Sequence, residues 1–490
     1  MGEHSQCTCT NNRQKKLDKE FARNTTCHGL SRLEQAQNPT MKIFWTLAVL
    51  LCFGLLFWQV SVRVITYFEN KSSTNIEKVY NIMQNFPAVT ICDYNRYRTP
   101  NMTEADKYLL YTIPNLIYKS SLEGVDVSEL LEEYEYNITA GYPGGYNLKE
   151  VEERVSWNMN ESLILCLFDG IPCYSKTKIF TPVFTDFGLC HTFNIDGSIN
   201  FTQWDIGAGH GLRLMLDMKT EEYGENFYDL ELARMESGIK FYVHPAYEPP
   251  DMKANGQSVS PGLHAFASIK TELTVTEEPP YGHCNKSASL QFYPRYTYSG
   301  CMLECMRDLM LKMCNCTPSY IPGNNAQCSF TTTNTCIQEV KEITRRTFAC
   351  FHCTQPCEEI VYPTSVSYAT FPTEGIGEKI ASQYNTTTEN IKKNHLMLDI
   401  YFTDLYNHTI TITPAVTPTG LLSDIGGQMG LFVGISVLTV IEFLEYFVKR
   451  CYYMCSNTDP ETENGRGQDN QVNASSDVEK LELENMEMRN

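Results

Sequence analysis

The stretch Thr419–Arg450, TGLLSDIGGQMGLFVGISVLTVIEFLEYFVKR, constrains this chain more than any other. From Leu431 onward it is apolar, and with the preceding turn it is long enough to cross a bilayer as a helix. Yet it makes a poor lipid anchor. Gly426, Gly427, Gly430 and Gly434 leave notches where backbones approach closely, and Asp424, Glu442 and Glu445 are costly to face towards hydrocarbon. Both features fit a helix that faces copies of itself around a water-filled path. On that reading Gly434-Ile435-Ser436 breaks the helix and turns carbonyls and a hydroxyl towards a passing ion. The plainer alternative is a single-span anchor with a glycine zipper.

A second apolar block, Met41–Tyr67, begins some forty residues in and is too long for a signal-peptide core, so it reads as an uncleaved spanning helix. Two spans put both termini on one side. Arg13, Lys15, Lys16, Lys19, Arg23 and Arg32 precede the first span and Lys449-Arg450 closes the second, which places the termini in the cytosol. Between the spans lie N-x-S/T sequons at Asn70, Asn101, Asn137, Asn160, Asn200, Asn285, Asn315, Asn385 and Asn407, expected on a glycosylated exterior. The layout is then a cytosolic tail (1–40), a span (41–67), an extracellular domain (68–419), a second span (420–450) and a disordered acidic cytosolic tail (451–490), in a multi-pass plasma-membrane protein. The net charge of −19 argues against binding nucleic acid by charge attraction.

Of the 20 cysteines, fourteen fall in the extracellular part, an even number in an oxidising compartment. Zinc at Cys314-x-Cys316 and Cys350-x-x-Cys353 is the rival reading. Helices are expected at Tyr298–Cys314 and about 337–351, with Cys301 and Cys305 on one face of the first and Cys350 and Cys353 on one face of the second. Sequence alone leaves connectivity open. If the two helices run antiparallel, nested pairing follows: Cys301–Cys353 and Cys305–Cys350, extending to Cys284–Cys357, Cys314–Cys336 and Cys316–Cys328. Strands are expected at 86–92, 184–194, 212–217, 238–243 and 398–402, an acidic helical piece at 127–135, and a turn at Gly141. Gly207-x-Gly209-x-Gly211 lacks the lysine of a phosphate loop.

These residues together resemble the epithelial sodium channel/degenerin family, in its acid-sensing or peptide-gated branch. The likeness rests on His28-Gly29 before the first span, the strand ending at Cys92, the 184–194 strand, the ten-cysteine lobe and GLLSDIGGQMGLFVGIS. It implies an α+β membrane protein in which two transmembrane helices flank a large disulfide-rich extracellular domain. That domain would comprise palm, β-ball, finger, knuckle and a stapled thumb at about 284–357, assembled as a trimer of identical or paralogous subunits. It implies a sodium-selective, amiloride-sensitive cation channel and no enzyme; no cofactor or bound metal is expected, only permeant Na⁺ and possible extracellular Ca²⁺ block. Carried over by residue, Gly434, Ile435 and Ser436 form the filter. Gly420 and Asp424 stand at the outer mouth, with Glu442 and Glu445 further along the pore. His28 and Gly29 form a re-entrant cytosolic loop, Leu405-Tyr406 a gating linker, and Cys92–Cys190 and Cys166–Cys173 two further disulfides.

Departures from the proton-sensing relatives point to the stimulus. Lys71-Ser72 replaces a histidine pair, Asp205 a palm lysine, Arg213 an acidic-pocket glutamate and Tyr281 a coupling tryptophan; Ile435 stands where the filter has a small residue. Glu221, Glu222, Glu231, Glu236, Glu339 and Glu342 remain as candidate proton or cation sensors. The favoured opener is a neuropeptide, with protons as the alternative. From another class, an ATP-gated trimer would need a basic cluster to grip phosphates, and an ectoenzyme a catalytic motif; neither stands out.

Overall fold

Leu212, Leu214 and Leu216 alternate with Arg213 and Asp217, the period-two pattern of a strand with one buried face, and Leu212–Asp217 is a strand over that whole length. The computed structural model describes residues 3–108, 110, 147–173, 179–195, 197, 201–223 and 236–455. The expected piece at 127–135, the Gly141 turn, Glu231, Asn137 and Asn200 lie outside these. Two units form, Met1–Lys71 with Ala415–Asn490, and Ser72–Pro414.

The second unit is built on two sheets. The larger joins β1 (Ser72–Tyr80), β4 (Leu163–Phe168), β5 (Ile171–Pro172), β9 (Leu212–Asp217), β12 (Leu263–Thr276), β13 (Glu358–Val361), β14 (Thr364–Thr370) and β15 (His395–Pro414). The smaller orders β11 (Gln257–Val259), β10 (Ile239–His244), β3 (Ala88–Asp93), β7 (Gly188–Phe193) and β6 (Phe180–Thr185). A two-stranded ladder pairs β2 (Gln84–Asn85) with β8 (Thr202–Gln203). Inward residues of both sheets, among them Ile91, Phe193, Leu214, Phe241, Ala267 and Ile400, share one apolar core. The expected 184–194 strand is in fact the β6–β7 hairpin, turned at residues 186–187. The expected 398–402 strand is the middle of the twenty-residue β15.

β15 changes partners along its length. Residues 395–400 pair antiparallel with β9, and 406–414 pair antiparallel with β1. β12 runs parallel beside both halves, but between them it advances from Ile269 to Thr271 while β15 advances from Phe402 to Asn407. Leu405 and Tyr406 sit in that slip. They are therefore not a break between strands but a bulge within one, with Leu405 buried and Tyr406 stacked edge-on against Tyr80.

The helical lobe has Tyr298–Cys314 and Cys336–Thr347 as its principal helices. The disulfides are Cys92–Cys190, Cys166–Cys173, Cys284–Cys357, Cys301–Cys353, Cys305–Cys350, Cys314–Cys336 and Cys316–Cys328. The zinc reading falls with them, because its thiols are oxidised. One premise of the nesting argument also changes. The second helix ends at Thr347, capped by Phe348 in the left-handed region, so Cys350 and Cys353 lie in the following turn and not on a helix face.

The other unit holds a 30-residue apolar helix, Pro39–Phe68, begun by Asn38 and a proline in its first turn. It is long and apolar enough to cross a membrane. Residues 420–450 are not one helix: Pro418–Val433 and Val437–Cys455 meet at a 76° bend. The N-terminal stretch is helical over Glu3–Asn24 and Leu30–Gln35. It has little amphipathic periodicity to announce it; Phe21 docks at 4.9 Å and 4.3 Å on the rings of Phe443 and Tyr446.

The Gly207–Gly211 run separates two kinds of glycine. A Cβ on Gly211 would fall 1.9 Å from the Ile400 carbonyl oxygen, whereas one on Gly209 would meet open space. Gly211→Ala should thus force β15 and β9 apart at a cost of about 1–3 kcal/mol, lowering the thermal unfolding midpoint and surface yield, while Gly209→Ala leaves both near wild type.

Candidate functional site

In the helical unit the bend is set by Gly434. Its φ of 67° lies in the left-handed region, and a Cβ there would come within 1.5 Å of the His28 ring. The neighbouring backbone N–H of His28 donates to the Val433 carbonyl at 2.8 Å. Residues distant in sequence, His28-Gly29 and Gly434-Ile435-Ser436, are thus brought into one motif. Gly29 is itself held close: its φ is 93°, and a Cβ there would stand 2.6 Å from the Val49 side chain. The Ser436 hydroxyl is engaged locally: it accepts from the Thr439 N–H at 3.3 Å and lies 3.2 Å from the Thr439 hydroxyl, which starts the second helix.

Each acidic residue of this stretch has a partner. Glu442 accepts from the Thr26 N–H at 3.0 Å and from the Thr25 and Thr26 hydroxyls at 3.2 Å. Glu445 pairs with Lys449 one turn on, at 2.6 Å. Asp424 lies 3.6 Å from Arg63 of the apolar helix. Gly420 donates its N–H to the Thr417 cap, and that hydroxyl, 3.0 Å away, is the only described atom a Cβ there would approach.

The candidate sensing residues of the other unit are dispersed. Glu222 is bound by Arg98, which also holds Glu161 at 2.6 Å. Glu221 accepts from the Asn394 amide at 3.0 Å. Glu342 is clasped by Arg345 and Arg346, while Glu339 and Glu236 are exposed. Among the described residues no three carboxylates gather at metal-binding distance; the one such group is Cys301, His352 and Cys353, whose thiols are spent in a disulfide. Arg213 makes two hydrogen bonds of 2.7 Å to Asp399, its direct neighbour across the β9–β15 ladder. Burial alone would raise the Asp399 carboxyl, but the Arg213 guanidinium and the His264 ring, 3.3 Å away, outweigh it and hold it below the usual range. Asn407, read as a sequon, is half-buried in β15 with its carbonyl oxygen accepting from Gln84 at 2.8 Å, a poor place for a glycan. Asn70, Asn101, Asn160, Asn285, Asn315 and Asn385 are exposed.

Two features escape sequence reasoning. Glu152 is 5% exposed and accepts from Arg96 at 2.6 Å, Tyr97 at 3.1 Å and Ser319 at 2.8 Å, joining three segments with no common spacing. Glu248 borders a cavity of about 580 Å³ beside Arg295 and Lys286; burial and the nearby Glu359 push its carboxyl up to about 7, against the opposing pull of Arg295.

A mixed, disulfide-stapled domain joined to apolar helices, one of them bent at a glycine, has the makings of a membrane channel subunit. Residues 21–446 match the family model described as amiloride-sensitive sodium channel. The chain belongs to this family, the epithelial sodium channel/degenerin family, whose members are ion channels and not enzymes. It is 32% identical to the bile acid-sensitive ion channel of Mus musculus, over 90% of this chain and 89% of that one. It is 32% identical to acid-sensing ion channel 1C of Danio rerio, over 87% and 82% of the two chains, and 30% identical to acid-sensing ion channel 2 of Homo sapiens, over 87% and 85%. A likeness to the cryo-EM structure of a proton-activated chloride channel, with TM-score 0.32 and 8% identity over 82% of this chain and 95% of that one, is too slight to carry an argument.

Gly434→Ala sets a methyl group against the His28 ring in a backbone region that disfavours it, so this substitution should abolish or strongly reduce whole-cell current at unchanged surface expression. Pairing it with His28→Gly removes the clash and should recover part of the current.

Proposed function

We propose that this chain is a subunit of a ligand-gated, amiloride-sensitive, sodium-selective cation channel of the plasma membrane, opened from outside the cell. The observation that carries the reading is the glycine bend at Gly434, backed by His28 and continued by Ile435 and Ser436. Three subunits, identical or paralogous, would gather their bent second crossings around one aqueous axis, both termini lying in the cytosol. Carbonyls at the bend would contact permeant Na⁺ in a path also open to extracellular Ca²⁺ block. Arg63 would temper the negative charge that a ring of Asp424 presents to entering cations. The Leu405-Tyr406 bulge, where β15 exchanges partners, would act as the gating element. Expression in oocytes under voltage clamp tests this: amiloride-blocked inward current that reverses near the sodium potential supports it, and none from abundant surface protein overturns the homomeric form.

The stimulus has three candidate classes: the neuropeptide expected from the sequence, and bile acids or protons, after the names of the relatives. The proton reading is favoured by Glu248, whose carboxyl titrates near neutral pH. Since its pKa is raised in the fold, the folded state binds more protons than the unfolded one between about pH 4.5 and 7, and stability falls as pH rises through that window. Glu248→Gln should flatten the pH dependence of the thermal midpoint between pH 5 and 8. If protons open the channel, it should also displace the half-activating pH.

A bulky side chain at Gly420 has room within its own subunit and would press on its neighbours across the axis. Gly420→Phe should accordingly give a standing, amiloride-sensitive inward current without any stimulus.

A further inference from the structure

The cavity of about 580 Å³ beside Glu248 lies between the β12–β13 pair and the start of the helical lobe, and every residue of its wall is within the described stretches. Leu273, Val275 and Ile360 give it an apolar strip, next to the Cys284–Cys357 disulfide. Its volume falls in the ~300–1,000 Å³ range of small-ligand sites. The polar part of the wall carries both signs of charge: the carboxylates of Glu248 and Glu358, the Arg295 guanidinium, and Lys286, whose ammonium is held 3.2 Å from Glu277. Neither Glu248 nor Arg295 makes a hydrogen bond or an ion pair among the described residues. The Tyr296 hydroxyl is engaged elsewhere, donating to the Thr354 carbonyl at 2.8 Å and accepting the Thr354 N–H at 3.0 Å, so its ring is what it offers the cavity.

A charged ligand of either sign would meet repulsion as well as attraction here. A neutral body that both donates and accepts, with an apolar face for the ring and the strands, satisfies the whole wall, and a sugar has that make-up: hydroxyls at its edge and weakly positive C–H groups on its flat side, drawn to an aromatic face. A sugar has a place to be attached. Asn285 is part of the wall and heads the sequon Asn285-Lys286-Ser287. Its turn is pinned: Oδ1 accepts the Ser287 N–H at 2.9 Å, the backbone carbonyl accepts from Ala288 at 3.3 Å, and the Lys286 N–H donates to Glu278 at 2.9 Å. Nδ2, the atom that N-glycosylation modifies, is free of hydrogen bonds among the described residues, and the residue is exposed. A tethered sugar is present at high local concentration, so contacts too weak to capture a free one suffice.

We propose that Asn285 carries an N-linked glycan whose proximal sugars seat in this cavity, stacked on Tyr296 and hydrogen-bonded to Arg295 and Glu248, bracing the helical lobe against β12 and β13. In the modification the Nδ2–C1 bond forms as the C1–O bond to the lipid pyrophosphate carrier breaks, and the displaced Nδ2 proton passes to solvent. Modification at Asn285 rests on the placement of residues 68–419 outside the cell.

The test uses the full-length channel purified from mammalian cells, with glycopeptide mass spectrometry and timed release by peptide N-glycosidase from native and from denatured protein. We expect Asn285 to be occupied, and its glycan to leave the native protein at least tenfold more slowly than glycans at the other exposed sequons, with no such gap after reduction and denaturation. Arg295→Ala should speed the native release severalfold. Ser287→Ala, which abolishes the sequon, should lower the thermal midpoint. Ser287→Thr, which keeps the sequon, should hold occupancy and midpoint near wild type, which separates loss of the sugar from damage to the turn. Asn160→Gln, at a sequon outside the cavity, should leave the midpoint unchanged. A bare Asn285 in a protein glycosylated at other sequons, native release as fast as at those sequons, or a release rate indifferent to Arg295→Ala would each overturn the proposal. A protein without glycans at any sequon would overturn the outside placement, and this site with it.

Discussion

The Ser72–Pro414 unit depends on one strand. β15 supplies Leu396, Leu398, Ile400 and Phe402 to the core, all fully buried, and is hydrogen-bonded in turn to β9, β12 and β1. Its other face carries Asp399, fully buried yet charged because Arg213 sits directly opposite. A carboxylate so placed is tolerable only with its partner in register, so the Arg213–Asp399 pair fixes the β9–β15 alignment as firmly as the apolar face does. The family resemblance marks Arg213 as a departure in an acidic pocket. In the fold it is a structural cation of the sheet.

The unit of Met1–Lys71 with Ala415–Asn490 solves a related problem. A helix bearing carboxylates cannot lie bare in hydrocarbon, and here each has a specific companion: Arg63 for Asp424, Thr25 and Thr26 for Glu442, Lys449 for Glu445. The companions of Glu442 come from the N-terminal segment, which also presents His28 to Gly434. One short stretch of chain thereby both hydrogen-bonds Glu442 and supports the bend at Gly434.

What could be read in advance follows from how local each signal is. Leu212–Asp217, Ile239–His244 and the Tyr298–Cys314 helix were legible because their periodicity is complete within one segment. The apolar helix needed only its length. β12 went unread, since Ala265 and Ala267 are too small to mark its buried face and Lys270 and Glu272 interrupt its apolar run. β1 went unread for a simpler reason: all nine of its residues are exposed, so no buried face shaped its sequence. The Glu152 contacts and the Glu248 environment combine residues tens to hundreds of positions apart, and nothing in local spacing reports them. The candidate pore residues were accessible because glycines and acids within an apolar run violate the rules for lipid contact, and a violation is visible without a partner in view.

The partner exchange in β15 has one further consequence. Along most of the strand a one-residue insertion would turn every later side chain to the opposite face. Between Phe402 and Asn407 the chain already holds surplus length relative to β12, a reserve of slack in an otherwise taut ribbon. Changes in length, by evolution or by engineering, should therefore be absorbed at this one place, and the two halves of the strand are free to have diverged on either side of it.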